Sequence, residues 1–266
     1  MEIKYLQNLY IESQRIFSNF KRENVLNSAT LREMFSPKYV YKGGKPNTVL
    51  VKSRVTNQPV EITWEKVEKQ LKNELSYEFS FYNTDKKIIG HKYFYIEDFH
   101  LPNRAEKEML AGYMNSTAND LYSGIGVREE ELQIKTALNS NIDCIPRSAI
   151  GPATLYHTKM GYLPVTTPDD LIEVKNEFDV NRYMNGMLKK SPDIKKENFR
   201  PIIVKDNSTY YIDINKTLAV ANVKEIKERL ANGETKKEID FLQIEGIPMS
   251  LSGNELAYWK NLIKQN

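Results

Sequence analysis

Hydrophobic and polar positions change period several times along this 266-residue chain, and each change marks a predicted element. Ile3, Leu6, Leu9, Tyr10, Phe17 and Phe20 recur at roughly helical spacing, so an amphipathic helix is expected over residues 2–22. Asn27 and Ser28 can cap a short helix over 29–35, which Pro37 ends. After a loop at 42–46, residues 48–51 and 60–62 read as a strand pair joined by a turn at 56–59. Thr63 can cap a helix starting at Trp64, with Val67, Leu71 and Leu75 on its apolar face. Alternation in 77–82 predicts a strand with one buried face, paired through the polar turn 83–87 with a second strand over 88–96. Residues 109–115 form a third, weaker strand candidate.

At Gly124 the pattern changes character. Val127, Leu132, Ile134, Ala137 and Leu138 predict a helix over 127–139, and the short apolar run 142–145 suits a buried strand. Pro152 fits the first turn of a further helix over 153–160, which Gly161 would terminate. Beyond 162–165, the pattern predicts a helix from about 168 to 188. A hairpin of 201–204 with 210–214 and charged helical segments near 222–232 and 253–264 follow. There is no internal repeat and no low-complexity tract.

Composition narrows the function classes. Hydrophobic residues make up 40% and charged residues 27%, ordinary for a soluble globular protein. Lysine and arginine number 38 against 35 acidic residues, so a net charge of +3 gives no electrostatic case for nucleic acid or an acidic membrane as the main partner. The single cysteine, Cys144, excludes an intramolecular disulfide and reads as a small buried hydrophobe. Three scattered histidines, His91, His100 and His157, argue against a zinc site. The N-terminal stretch lacks a basic segment followed by an apolar one, and no run approaches the roughly 18 apolar residues of a membrane span. A soluble, cytoplasmic protein is expected.

Chemistry enters at the Gly124-Ile125-Gly126 turn. A Gly-x-Gly turn feeding a helix exposes consecutive backbone N–H groups at the positive end of the helix dipole, where a pyrophosphate can be held. Glycine allows close approach there because it has no Cβ. Leu121 to Gly126 resembles the pyrophosphate motif of the GNAT superfamily of N-acetyltransferases, with Leu121 where that family has arginine or glutamine. One helix and one strand later, residues 153–162 (Ala-Thr-Leu-Tyr-His-Thr-Lys-Met-Gly-Tyr) resemble the family segment ending Phe-Tyr-x-Lys-Leu-Gly-Phe. Upstream, Lys86 to His91 resembles the family's lysine-isoleucine-isoleucine-glycine hairpin.

The resemblance covers about residues 77–165. It implies an α/β protein of α+β type, with a mixed central sheet flanked by helices. Residues 1–45 would be a helical N-terminal extension, 46–165 an acyl-CoA-binding core and 166–266 an α+β C-terminal extension. The implied activity is transfer of an acetyl group from acetyl-CoA, the acyl-donor substrate, to an unidentified amine. The alternative is a GNAT-like module that binds without turnover. Gly124, Ile125, Gly126 and Val127 would hold the pyrophosphate, and backbone N–H groups around Asn115 and Ser116 would face the thioester. Aligned on Lys159-Met160-Gly161-Tyr162, His157 stands at the family's proton-donating tyrosine, and Tyr156 takes that place if the register shifts by one. An acceptor amine must also lose a proton, and Glu97, Asp98 and His100, after the second central strand, are candidate bases by position. The terminal segments could shape an acceptor site, supply a homodimer surface or form a second small domain.

Overall fold

The computed structural model of the protein describes residues 2–25, 47–70, 75–101, 104–115, 121–151 and 153–265. The expected helix over 29–35 lies outside them. By contact the chain divides into two compact units, one formed by residues 1–28 and 148–250, the other by 29–147 and 251–266. Together they are mixed α/β, with a curled, mostly antiparallel sheet flanked by helices.

The second unit carries the longest strands. These are β1 (Thr48–Ser53), β2 (Pro59–Gln70), β3 (Leu75–Tyr82), β4 (Ile88–Leu101), β5 (Arg104–Asn115), the short β6 (Tyr122–Ser123) and β7 (Cys144–Ala149), which leads the chain out of the unit. Their order is β6-β1-β2-β3-β4-β5-β7. Neighbours run antiparallel except β5 and β7, whose described register is one parallel pair, Glu108 with Cys144. Alternation drives the strand faces: Tyr77, Phe79 and Phe81 of β3 are buried, as are Lys92, Phe94 and Ile96 of β4. Phe79 stacks on Phe94 with centroids 5.5 Å apart. Helix α2 (Ile125–Asn139; α1 belongs to the first unit) packs against this sheet at Leu50, Gly90 and Lys92, and α7 (Gly253–Gln265) packs on α2. Trp259 of α7 is fully buried.

The first unit begins with α1 (Glu2–Asn24). It continues through α3 (Ala153–Lys159), β8 (Leu163–Pro164), β9 (Leu171–Val174), α4 (Glu177–Lys190), β10 (Ile203–Asp206), β11 (Thr209–Asp213), α5 (Ile214–Ala231), α6 (Lys236–Asp240) and β12 (Ile247–Ser252). A small antiparallel sheet has the order β10-β11-β9, and β12 pairs with β8. Helix α5 is buried over most of its first three turns. Asp213 caps it by accepting from Lys216 N at 2.9 Å. Ser13 of α1 donates to Pro201 O and accepts from Ile203 N at 2.8 Å, tying the first helix to β10.

Four expectations are corrected. Residues from Trp64 onward form the second half of β2, not a helix. Positions 67, 71 and 75 do have helical spacing. However, β3 pairs with β2 from Thr63 to Gln70, Trp64 lies opposite Phe81 with its ring 5.6 Å from Phe79, and Val67 is 46% exposed. Cross-strand packing outweighs the local period. The helix expected over 168–188 is interrupted. Thr167 and Asp170 close a capping-box turn, Leu171–Val174 pairs with β11, and a new helix starts after Asn176, whose side chain accepts from Asp179 N. The helix expected near 222 starts earlier, at Ile214, and the strand expected over 142–145 is shifted to Cys144–Ala149.

Truncating the buried indole tests the role of α7. Trp259→Ala is expected to destabilise the second unit by about 3–5 kcal/mol, seen as an earlier denaturant midpoint for that unit's unfolding.

Candidate functional site

The Gly124 turn opens α2 from a short strand. Tyr122 and Ser123 pair with Ser53 and Lys52 at the edge of the sheet, and Gly124 then turns with φ +98° into the helix. An L side chain rarely adopts that conformation, which is the local reason for glycine. Space around it is open, with nothing within 4 Å of where a Cβ would stand. The first intrahelical bond is Arg128 N to Gly124 O at 3.1 Å. The helix therefore begins with the N–H groups of Ile125, Gly126 and Val127. Gly124 has no side chain to cap them, and no acidic residue stands in the first turn. Ile125 and Val127 bury their side chains, while Gly126 remains partly exposed.

Helix α2 is seated against the sheet by close packing and by charge. A Cβ on Gly90 of β4 would meet Ile125 Cγ2 at 2.9 Å and Glu129 Oε1 at 3.0 Å, so glycine lets the helix approach. The Arg128 guanidinium donates to Leu50 O of β1 and pairs with Glu131 at 2.6 Å. Burial pushes the Glu131 carboxyl up, but Lys135 and Arg128 outweigh it and hold that carboxyl below its ordinary value.

Beneath this first contact lies a buried ionic cluster. Lys92 Nζ donates to Glu130 Oε2 at 3.1 Å, and Arg147 of β7 donates to both Glu130 oxygens at 3.3 and 3.0 Å and to Gln133 Oε1. Lys92 and Glu130 are each 1% exposed. Glu129 is fully buried, and neither of its carboxyl oxygens has a hydrogen-bond partner among the described residues. Burial raises the Glu129 carboxyl to about 7 despite the attraction of Lys92. Burial likewise lowers Lys92 to about 8, against the pull of Glu130. Sequence reasoning missed all of these residues. The available signal was Lys92 itself, a charge on the inward phase of a strand between Gly90 and Phe94.

The remaining predicted residues are distributed as follows. Asn115 ends β5 opposite His91, whose ring lies 3.0 Å from Glu78. Ser116 is outside the described residues. Glu97, Asp98 and His100, expected after the second central strand, lie within β4, paired with Glu108, Lys107 and Ala105. Tyr156 and His157 belong to α3, in the first unit. Gly161, with φ +98°, ends that helix, and Tyr162 N returns to His157 O at 3.0 Å. The His157 ring is 8% exposed and meets Tyr156 and Tyr162 edge-on at 5.3 and 5.4 Å. Cys144 is half-buried. Among the described residues no group of three or more His, Cys, Asp or Glu could hold a metal, and no helix is long and apolar enough to cross a membrane. Compared with known proteins, the sequence matches no family model, and no curated protein matches it.

The cluster makes stability depend on pH in a defined way. Unfolded, these groups titrate near 4.5 and 10.5. A carboxyl raised in the fold stabilises fully below its unfolded value, and that stabilisation is lost as pH rises to about 7. A lysine lowered to about 8 costs stability while protonated, and stability recovers between about 8 and 10.5. A stability minimum is expected at about pH 7–8. Glu129→Gln should flatten the acid limb, changing the difference between pH 4.5 and 7 by roughly 2–3 kcal/mol in urea unfolding.

Proposed function

We propose that the protein binds acetyl-CoA at the Gly124 turn and transfers the acetyl group to an amine. One observation carries this reading: the left-handed Gly124 opens a fifteen-residue helix, has no side chain to cap its first N–H groups, and leads into a first turn without an acidic residue. The arrangement suits a pyrophosphate, which would receive those N–H groups at the positive end of the helix dipole. The helix enters from β6, at the edge beside β1, and leads on to β7, which runs parallel to β5 in an otherwise antiparallel set.

In the proposed reaction the neutral acceptor amine attacks the thioester carbonyl. A C–N bond forms, the C–S bond breaks, the amine gives up a proton and the CoA thiolate gains one. Backbone N–H groups from Ile125 to Val127 hold the donor. The resemblance of residues 153–162 gives the role of thiolate proton donor to His157 or Tyr156, and position alone makes Glu97 the candidate base. The acceptor's chemistry beyond an amine is set by loops rather than by the sheet.

A second reading, a module that binds CoA without turnover, is favoured by one specific observation. His157 is buried, with its ring between two tyrosines, which suits a packing role as well as a donor.

Titration calorimetry with CoA tests the first claim, and micromolar binding is expected. Gly126→Asp should weaken CoA by at least about tenfold, because a carboxylate would occupy the first helical turn. The same acid should leave the melting temperature unchanged or slightly raised, which separates lost binding from lost fold. Folded wild-type protein that gives no heat with CoA would remove the basis of the reading. CoA binding without acetyl transfer across a broad amine panel would select the second reading.

A further inference from the structure

A cavity of about 780 Å³ opens within the first unit, between α1, α4 and the segment 196–201. Its volume falls in the range of small-molecule sites, roughly 300–1,000 Å³. Two helical stripes make the walls. Tyr5 and Leu9 are one turn apart on α1, and Val180, Met184 and Leu188 follow the same period on α4. Phe199 closes the apolar part. These side chains are mainly aliphatic, and the flexible thioether of Met184 can adapt to a chain lying across it.

The rim has a different character. Lys196 and Arg200 both line the opening and are exposed, and neither forms an ion pair among the described residues. Their neighbour Lys195 differs, because Glu228 lies 3.4 Å from its Nζ. Glu197 is the one acidic residue among the lining side chains, and Glu177 acts on Tyr5 at the other wall, so the cations are concentrated on the side of Lys196 and Arg200. The segment bearing these groups is held from below. Fully buried Glu225 accepts from Lys195 N and from Asn198 Nδ2, both at 2.9 Å, and pairs with Arg229 at 2.8 Å. Asn198 also donates to Glu228 at 2.9 Å. The two cations are thus presented from a fixed backbone beside an apolar trough. That is the arrangement required to hold an anion with an apolar tail.

We infer that this cavity binds a free aliphatic monocarboxylate, its chain along Leu9, Met184, Leu188 and Phe199 and its carboxylate at Arg200 and Lys196. Arginine offers a planar pair of donors to the carboxylate, and the phenol of Tyr5 is a further donor in the same cavity. The site is distinct in residues from the proposed CoA turn, and either assignment can fail without the other.

Calorimetric titration of the full chain with decanoate, kept below its micellar concentration, tests the inference. Saturable one-to-one binding with Kd below about 100 μM is expected. Arg200→Gln should weaken it about tenfold, and Lys196→Gln less. Met184→Trp, which fills the trough from the opposite wall, should abolish it while the circular dichroism spectrum stays folded. Decyltrimethylammonium, with the same chain and the opposite charge, should not bind. The inference is overturned by the absence of saturable heat with decanoate, by equal binding of the cationic probe, or by an Arg200→Gln variant that binds as the wild type does.

Discussion

Glu130 accepts from Lys92 on β4 and from Arg147 on β7 with its carboxylate almost wholly out of water, and the seat of α2 follows from that pairing. A buried ion pair is a poor source of net stability, because desolvating both partners offsets most of their attraction. Its force lies in what happens when it is broken. Shifting α2 by one residue would carry Glu130 away from the wholly buried Lys92 and the largely covered Arg147 side chain, a penalty of about 3–5 kcal/mol. The pairing therefore acts as a register lock. The Gly124 turn, fixed at the head of the same helix, inherits its position from that lock and from the close approach that Gly90 permits.

Around the lock, the cluster is incompletely satisfied. Glu129 sits beside the pair without a hydrogen-bond partner among the described residues, and Gln133 leaves its amide nitrogen without one. A site selected only for stability would replace Glu129 by an apolar residue of similar size. Its presence adds a second buried carboxyl to a helix face that also carries the buried Ile125, Ile134 and Ala137. The fold thus accommodates a proton whose residence depends on conditions near neutrality.

Much of the architecture could be read from periodicity. The amphipathic first helix, the β3–β4 hairpin, the glycine turn with its helix and the Gly161 stop all follow from local signals that agree with tertiary packing. Trp64 shows where such signals end. Its segment has apolar residues at helical spacing, yet pairing with β3 decides its form, and that partner lies beyond any local window. Leu171–Val174 became a strand for the same reason, through β11. The site was legible only where backbone geometry is written in residue type, as at Gly124. Lys92, Glu130 and Arg147 meet from three elements, and no spacing announces a contact of that kind. His157 matched a motif by position, but its burial between Tyr156 and Tyr162 depends on how α3 turns back at Gly161.

The division of the chain also bears on synthesis. Residues of the second unit before Arg147 leave the ribosome well before α7, and the whole stretch from Ser148 to Ser250 comes between them. Until α7 is made, the part of α2 on which it packs lacks that neighbour. The nascent sheet must then persist as an unfinished body while about a hundred further residues are made, at roughly 5–20 residues per second. For several seconds of each chain's life, that uncovered helix face is a surface for chaperones to shield and for neighbouring nascent chains to meet.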